Sequence, residues 1–347
     1  MTVTADDARL LAAVPPILAR RFGGSGDFAL EAAQSGNFNR IFRLSYAGRR
    51  LGVRAMVAGD HFRYEKTIIK EVFAAALLSR SARDGGDARL AETIDDLLAR
   101  PSGECDDLPG LRKIHHYDWS LAELPVPYFI FDWTPGRCLW DRPRPDLYAA
   151  AGQRLATLHR FRFDGFYRDI FAIGRAHRPW PDHAEHAFRQ VLSQVAGELP
   201  AAVAGRLSAL DWHRLPEGRP SLIHNDFSGA NLLAGDDGTV RVIDWDNWVV
   251  DCPELDLVKM KFWTTIGTDG RLTHDSRLYG AFFDAYRNEA ADPVDPGRLA
   301  AYEKLWLLRC FAYEVSRQRQ DRQDPEGPSW RSVYPLASFY REALASL

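Results

Sequence analysis

Three side chains in one short stretch of this sequence could share a reaction. Leu222-Ile223-His224-Asn225-Asp226 is followed by Asn231 at five residues' distance, and Val240-Arg241-Val242-Ile243-Asp244-Trp245-Asp246 comes soon after. Between them, Asp236-Asp237-Gly238 is a strong turn signal flanked by apolar runs at 231–234 and 239–244. Such a pattern predicts an antiparallel hairpin. With the turn centred near Asp237, Asn231 lies across from Ile243 or Asp244. A carboxamide oxygen and a carboxylate then converge at the open end, with Asp226 in the loop leading to it. Two hard oxygen donors side by side suit magnesium, which keeps waters and phosphates in its other positions. The remaining carboxylate can take a proton from a nucleophile. Metal clamp, proton acceptor and positioning are the parts of phosphoryl transfer.

The elements that must hold these groups fall into two sets. Residues 28–33, 40–46 and 50–57 are short runs of alternating or branched apolar residues, separated by turn residues at 34–37 and 47–48. They read as strands. A helix is expected over about 64–80, where Ile68, Ile69, Val72, Phe73, Ala76 and Leu77 form one apolar stripe. Residues 81–110, with eight acidic and three basic residues, read as a surface insertion, partly helical around 88–99. Strands are expected again near 111–117 and 127–133. From about 145 the pattern turns helical, with Leu147, Ala151, Leu155, Leu158 and Phe161 on one face and Asp146 near the start. Further helices are expected near 183–197, 200–211, 253–263, 275–290 and 296–320, with the β interruption at 221–245. The fold class is therefore α+β: a small β-rich lobe with one main helix over 1–133, and a larger, mostly helical lobe over 134–347.

Several other chemistries find no support. A metal hydrolase would want histidines at ligand spacing, but neither His115-His116 nor His183/His186 sits in a motif with the required carboxylate. No Gly-Lys pair occurs, so a P-loop is absent. A formal charge of −3, with 46% hydrophobic and 26% charged residues, fits a soluble globular protein and argues against a nucleic-acid partner, which would need a basic footprint. None of the four cysteines forms a C-x-x-C pair, so neither a disulfide scaffold nor a cysteine zinc site is expected. No apolar run reaches the roughly 18 residues of a spanning helix, and the N-terminus lacks a signal peptide's charge order. The expectation is a cytoplasmic protein with no membrane partner.

His224-x-Asp226-x-x-x-x-Asn231 followed by Ile243-Asp244-Trp245-Asp246 resembles the signature of the aminoglycoside phosphotransferase and choline kinase family. These are small-molecule kinases with a two-lobed, protein-kinase-like fold. Leu155-Ala156-x-Leu158-His159 and Phe129-Ile130-Phe131-Asp132-Trp133-x-Pro135-Gly136 are similar to further family landmarks, a C-lobe helix and the inter-lobe hinge. The resemblance implies roles for individual residues. Asp226 is the catalytic carboxylate, His224 braces its loop, and Asn231 and Asp244 are the magnesium ligands. The hinge backbone near Phe131, Asp132 and Trp133 meets the base of ATP, with GTP left open. Ser35-Gly36-Asn37-Phe38 covers the phosphates. The third strand offers Arg54 where protein kinases carry Lys, with Glu71, or else Glu65, as its helix partner.

Residues 236–256 hold seven acidic residues and one basic one, so a cationic acceptor is a candidate. Asp251 reads as a helix cap before Pro253, and Asp256 as a brace behind the catalytic loop. Asp246, Trp248, Trp263 and Trp306 are candidates for the substrate pocket, the tryptophans as an aromatic cage. The function expected is ATP- and magnesium-dependent O-phosphorylation of a hydroxyl on a small polar molecule, such as an aminoglycoside-type antibiotic. Choline, ethanolamine, a sugar or an amino-acid alcohol are alternative acceptors, and a silent nucleotide-binding module is the alternative of another class.

Overall fold

The computed structural model describes residues 5–24, 27–35, 39–56, 68–83, 96–97, 99–105, 112–167, 179–266, 272–323 and 336–347. The expected helical part of the acidic insertion and residues 64–67 lie largely outside them. The chain divides into two compact units. One holds the described residues up to Arg137 together with Leu233–Trp248; the other holds Cys138 to Leu232 and Val249–Leu347. The segment that carries Asp244 thus belongs with the β-rich unit, where the sequence reading placed it in the helical one.

In the first unit, α1 (Ala5–Phe22) precedes β1 (Phe28–Ser35), β2 (Asn39–Tyr46) and β3 (Arg49–Met56). Helix α2 (Ile68–Arg83) follows, then β4 (Ser102–Gly103), β5 (Ile114–Asp118) and β6 (Tyr128–Asp132). The six strands form one sheet in the order β1-β2-β3-β6-β5-β4. Residues paired across strands share a face. The register sets Ile41 opposite Arg54, Arg54 opposite Phe129, and Gly52 opposite Phe131. The other face carries Phe42, Leu44, Leu51, Val53 and Ile130, which pack with Leu10, Val14, Ile17 and Leu18 of α1. Those four recur at helical spacing, but Pro15 and Pro16 sit among them. Proline removes a backbone donor and usually ends a helix, which is why the sequence hides α1.

Among the described residues of the second unit, α3 (Pro145–Leu158), α4 (Asp182–Val195) and α5 (Ala201–Ser208) precede β8 (Ser221–Ile223). The short strand β7 (Arg137–Cys138) lies before α3. After β8 the chain passes through β9 (Leu232–Ala234) and β10 (Val240–Val242), which but for Leu232 belong to the first unit, then resumes the second with β11 (Val249–Asp251) and α6 (Glu254–Phe262). Strands β12 (Thr265–Ile266) and β13 (Leu272–Thr273) pair antiparallel before the last helices. These are α7 (Ser276–Glu289), α8 (Pro296–Gln323) and α9 (Ala337–Ser346). A Cβ added at Gly152 of α3 would lie 2.1 Å from the Phe282 carbonyl of α7, so only glycine permits that helix approach. Leu305, Leu307, Leu308 and Phe311 of α8 are fully buried at the centre of this unit's core. Helix α9 and strand β11 were not expected from the sequence.

The expected hairpin forms. Strands β10, β9 and β7 make a three-stranded sheet. At the turn, Gly235 N–H donates to Thr239 O at 2.9 Å, and Gly238 adopts φ 78°. Gly238 is required there because a side chain would be strained in that left-handed conformation.

Candidate active site

In the β-rich unit the sheet face bearing Arg54 meets the helix bearing Glu71. Arg54 Nη1 donates to Glu71 Oε2 at 2.5 Å and lies 3.2 Å from Asp244 Oδ1; Nη2 donates to Asp246 Oδ2 at 2.5 Å. The guanidinium is 6% exposed. Burial opposes its charge, but Asp246, Glu71 and Asp244 together raise its pKa above the ordinary value. The carboxylates fare differently. Burial pushes the Asp246 carboxyl up, Arg54 pulls it back, and Asp244 and Glu71 push it up again. Three carboxylates with ligand atoms within 4.8 Å of one another share this one guanidinium. Asp246 Oδ1 and Asn39 Oδ1 are buried there without a hydrogen-bond partner. Hard oxygen donors in excess over positive charge are the donor set a magnesium ion fits.

Beside this cluster lies a cavity of about 430 Å³, lined by Ile41, Arg43, Phe131, Trp133, Pro135 and Ile243 among others. Arg43 stands 5.4 Å over the Trp133 ring and Arg112 stands 4.6 Å over Phe131. Burial lowers the Arg112 pKa, with nearby Arg54 adding to the effect. Apolar and aromatic walls of this size suit a planar heterocycle. The hinge backbone corrects one expectation. Asp132 N–H donates to Lys113 O at 3.0 Å and Trp133 N–H to Arg50 O at 3.0 Å, so strand pairing consumes both amides. Thr134, Pro135 and Gly136, next along the chain, line the cavity.

In the helical unit, β8 runs into the loop His224–Asn225–Asp226. Asp256 of α6, 1% exposed, accepts from His224 N–H through Oδ2 and from Asn225 N–H through Oδ1, both at 2.7 Å. His159 Nε2 lies 3.3 Å from Asp256 Oδ2, and its Nδ1 lies 2.8 Å from the Tyr286 hydroxyl. This buried network fixes the loop backbone. His224 Nδ1 accepts from Asp226 N–H at 3.2 Å, and Asn231 Nδ2 donates to Asp226 O at 3.0 Å. That bond fixes the orientation of the Asn231 carboxamide. Asn225 has φ 61°, and in the other unit Asp244 has φ 64°. Among the described residues only Ala47 and Leu121 are also non-glycine with positive φ, so half of this strained set belongs to the candidate site. Asn and Asp tolerate that conformation best. The Asp226 carboxylate pairs with the Lys259 ammonium.

A family model described as a phosphotransferase enzyme family matches residues 88–302, more than half of the chain. The chain belongs to that family. Membership makes it a phosphotransferase of kinase type, and solved structures agree on the two-part α+β, kinase-like fold. A candidate aminoglycoside phosphotransferase from Ralstonia eutropha JMP134 superposes with a TM-score of 0.66 at 16% identity, covering 96% of this chain and 95% of that one. A thermostable mutant of aminoglycoside phosphotransferase APH(4)-Ia, in ternary complex with AMP-PNP and hygromycin B, gives 0.54 at 17% identity, with 96% and 97% covered. Macrolide 2'-phosphotransferase MphH from Brachybacterium faecium gives 0.52 at 18% identity, covering 97% of each. No curated protein sequence matches the chain.

For this phosphotransferase the structure sorts the residues singled out earlier. Arg54, Glu71 and Asp244 come together in the β-rich unit, and His224, Asp226 and Asn231 in the helical one. Gly36, Asn37, Phe38 and Glu65 lie outside the described residues, and Ser35 closes β1. Asp246 is no pocket residue: it is buried on Arg54, with Asn39 Nδ2 at 3.5 Å. Trp248 is fully buried, and its Nε1–H donates to Lys70 O at 2.7 Å. Trp306 is buried against Phe262, ring on ring at 5.5 Å. Core packing has claimed these two rings, so the expected aromatic cage does not form from them. Trp263 remains half-buried. Asp251 is not a cap: it accepts from Tyr302 O–H at 2.6 Å inside the core, and α6 starts after Pro253. Glu254 binds Arg298. The acidic stretch is therefore largely internal and gives no argument for a cationic acceptor. Lys259 was missed, because its contact with Asp226 joins positions far apart in sequence.

Proposed function

We propose that the protein transfers the terminal phosphoryl group of a purine nucleoside triphosphate, ATP by first choice, to a hydroxyl of a small polar molecule. The observation that carries the proposal is the Arg54–Glu71–Asp244 grouping beside an aromatic-walled cavity: a buried cation fixed by carboxylates. Asn231 and Asp244, at the two ends of the β9–β10 hairpin, would hold magnesium. Bound magnesium neutralises charge on the triphosphate. Arg54 steadies the phosphates through its fork of donors. Asp226 orients the acceptor hydroxyl and takes its proton as the new O–P bond forms. His224 and Asp256 hold that carboxylate's loop, so little reorganisation is needed at the moment of transfer. The fold relatives named above act on aminoglycosides and a macrolide by their names, which supports hydroxyl-bearing antibiotics as the first acceptors to test.

Thermal unfolding with and without Mg-ATP tests the nucleotide part, and ADP release over an antibiotic panel tests the acceptor part. Wild type should gain several degrees with Mg-ATP and lose the gain in EDTA. Asp244→Ala should abolish the magnesium-dependent gain. A wild type stabilised by neither Mg-ATP nor Mg-GTP would rule the proposal out.

A further inference from the structure

We infer that Lys259 is a catalytic residue whose ammonium, seated on the Asp226 carboxylate, holds the phosphoryl group during its transfer; this rests on the proposed reaction. Lys259 lies one helical turn beyond Asp256 on α6. Residues at i and i+3 share a helix face, and this face meets the catalytic loop twice. Asp256 takes the amides of His224 and Asn225, and Lys259 takes the carboxylate of Asp226. The ammonium is confined from a second side by Trp263, whose ring centroid lies 4.4 Å from Nζ. Trp263 is itself fixed: its ring meets Trp306 edge-on at 5.7 Å, and its carbonyl accepts from Trp140 Nε1–H at 3.3 Å. The Lys259 side chain is 11% exposed and that of Asp226 23%.

This placement fixes what the ammonium meets during reaction. A lysine ammonium carries three donors on one compact charge. The acceptor hydroxyl must sit about 2.7 Å from the Asp226 carboxylate to give up its proton. Phosphorus then bonds to that same oxygen while its bond to the β-phosphate oxygen breaks, the electron pair leaving with the nucleoside diphosphate. The hydroxyl proton goes to Asp226, and Lys259 keeps its own. The non-bridging oxygens therefore pass within a hydrogen bond of Nζ, at the stage when negative charge is spread over them. A fixed cation is worth most there. Of 44 basic residues in the chain only six are lysines, and this position holds one of them, a compact point charge.

The test measures single-turnover consumption of Mg-ATP, with water and hygromycin B as acceptors, and of its γ-thio analogue, alongside nucleotide affinity. Lys259→Met should slow transfer by about 10²-fold with nucleotide affinity nearly unchanged. Lys259→Arg should recover part of the rate. The penalty for γ-thio substitution should shrink in Lys259→Met, because the contact that sulfur disturbs is already gone. Lys259→Gln serves where the Met variant does not fold. Wild-type rates in these variants, or slow rates with an unchanged thio penalty, overturn the inference while leaving the phosphotransferase reading intact. A wild type that turns over Mg-ATP with neither acceptor overturns that reading itself.

Discussion

The β-rich unit surrounds one cation with three carboxylates, whereas the helical unit sets one ammonium on one carboxylate. Arg54 is shared by Glu71, Asp244 and Asp246; Lys259 is seated on Asp226. The first arrangement gathers three carboxylates on one guanidinium, with Arg112 close enough to feel all three. The second sets one positive charge against one negative one. On the proposed reading, a metal-collecting site and a proton-accepting site differ in charge stoichiometry more than in residue type.

The largest expected effect breaks the balanced pair. Asp226→Asn should lower kcat by about 10³-fold, within the range for losing a general base, while Mg-ATP affinity holds. Rapid-quench turnover beside calorimetric binding separates the two. Next is the crowded cluster. Arg54→Met should destabilise the fold by about 3–5 kcal/mol, since the buried Glu71 and Asp246 lose the guanidinium paired with them. Urea unfolding measures this, and millimolar magnesium should restore more stability to the variant than to wild type. Equal responses would dissolve the contrast between the units. The smallest effect lies away from both sites. Burial raises the Glu123 carboxyl pKa, but bonds from Tyr128, His116 and Arg20 outweigh it and lower the value from 4.5 to about 2. The stability it adds is complete above pH 4.5 and is lost as pH falls toward 2. Thermal unfolding across that range should show this loss, and Glu123→Gln should flatten it.

Much of the site was legible because its signals are local. The turn at Asp236-Asp237-Gly238 set the hairpin, and Asp256 was expected behind the loop whose amides it binds. What escaped depends on contacts between distant positions. The hinge amides of Asp132 and Trp133 are spent on neighbouring strands, which only the register reveals. Trp248 and Trp306 have the composition of a ligand cage but face their units' cores. Helix α1 carries a clean apolar stripe that Pro15 and Pro16 disguise, and tertiary burial of that stripe overrides the local penalty.

The bare backbone at Gly52 has a practical consequence. A Cβ there would fall 2.2 Å from Cζ of Phe131, so the tip of that ring takes the room a side chain would need. Trimming Phe131 to alanine would carve a hole the size of a phenyl group into the wall of the cavity. On the proposed function, an enzyme so altered would accept a nucleotide enlarged on its base, giving a private co-substrate with which this protein's products could be labelled in a mixture of other kinases.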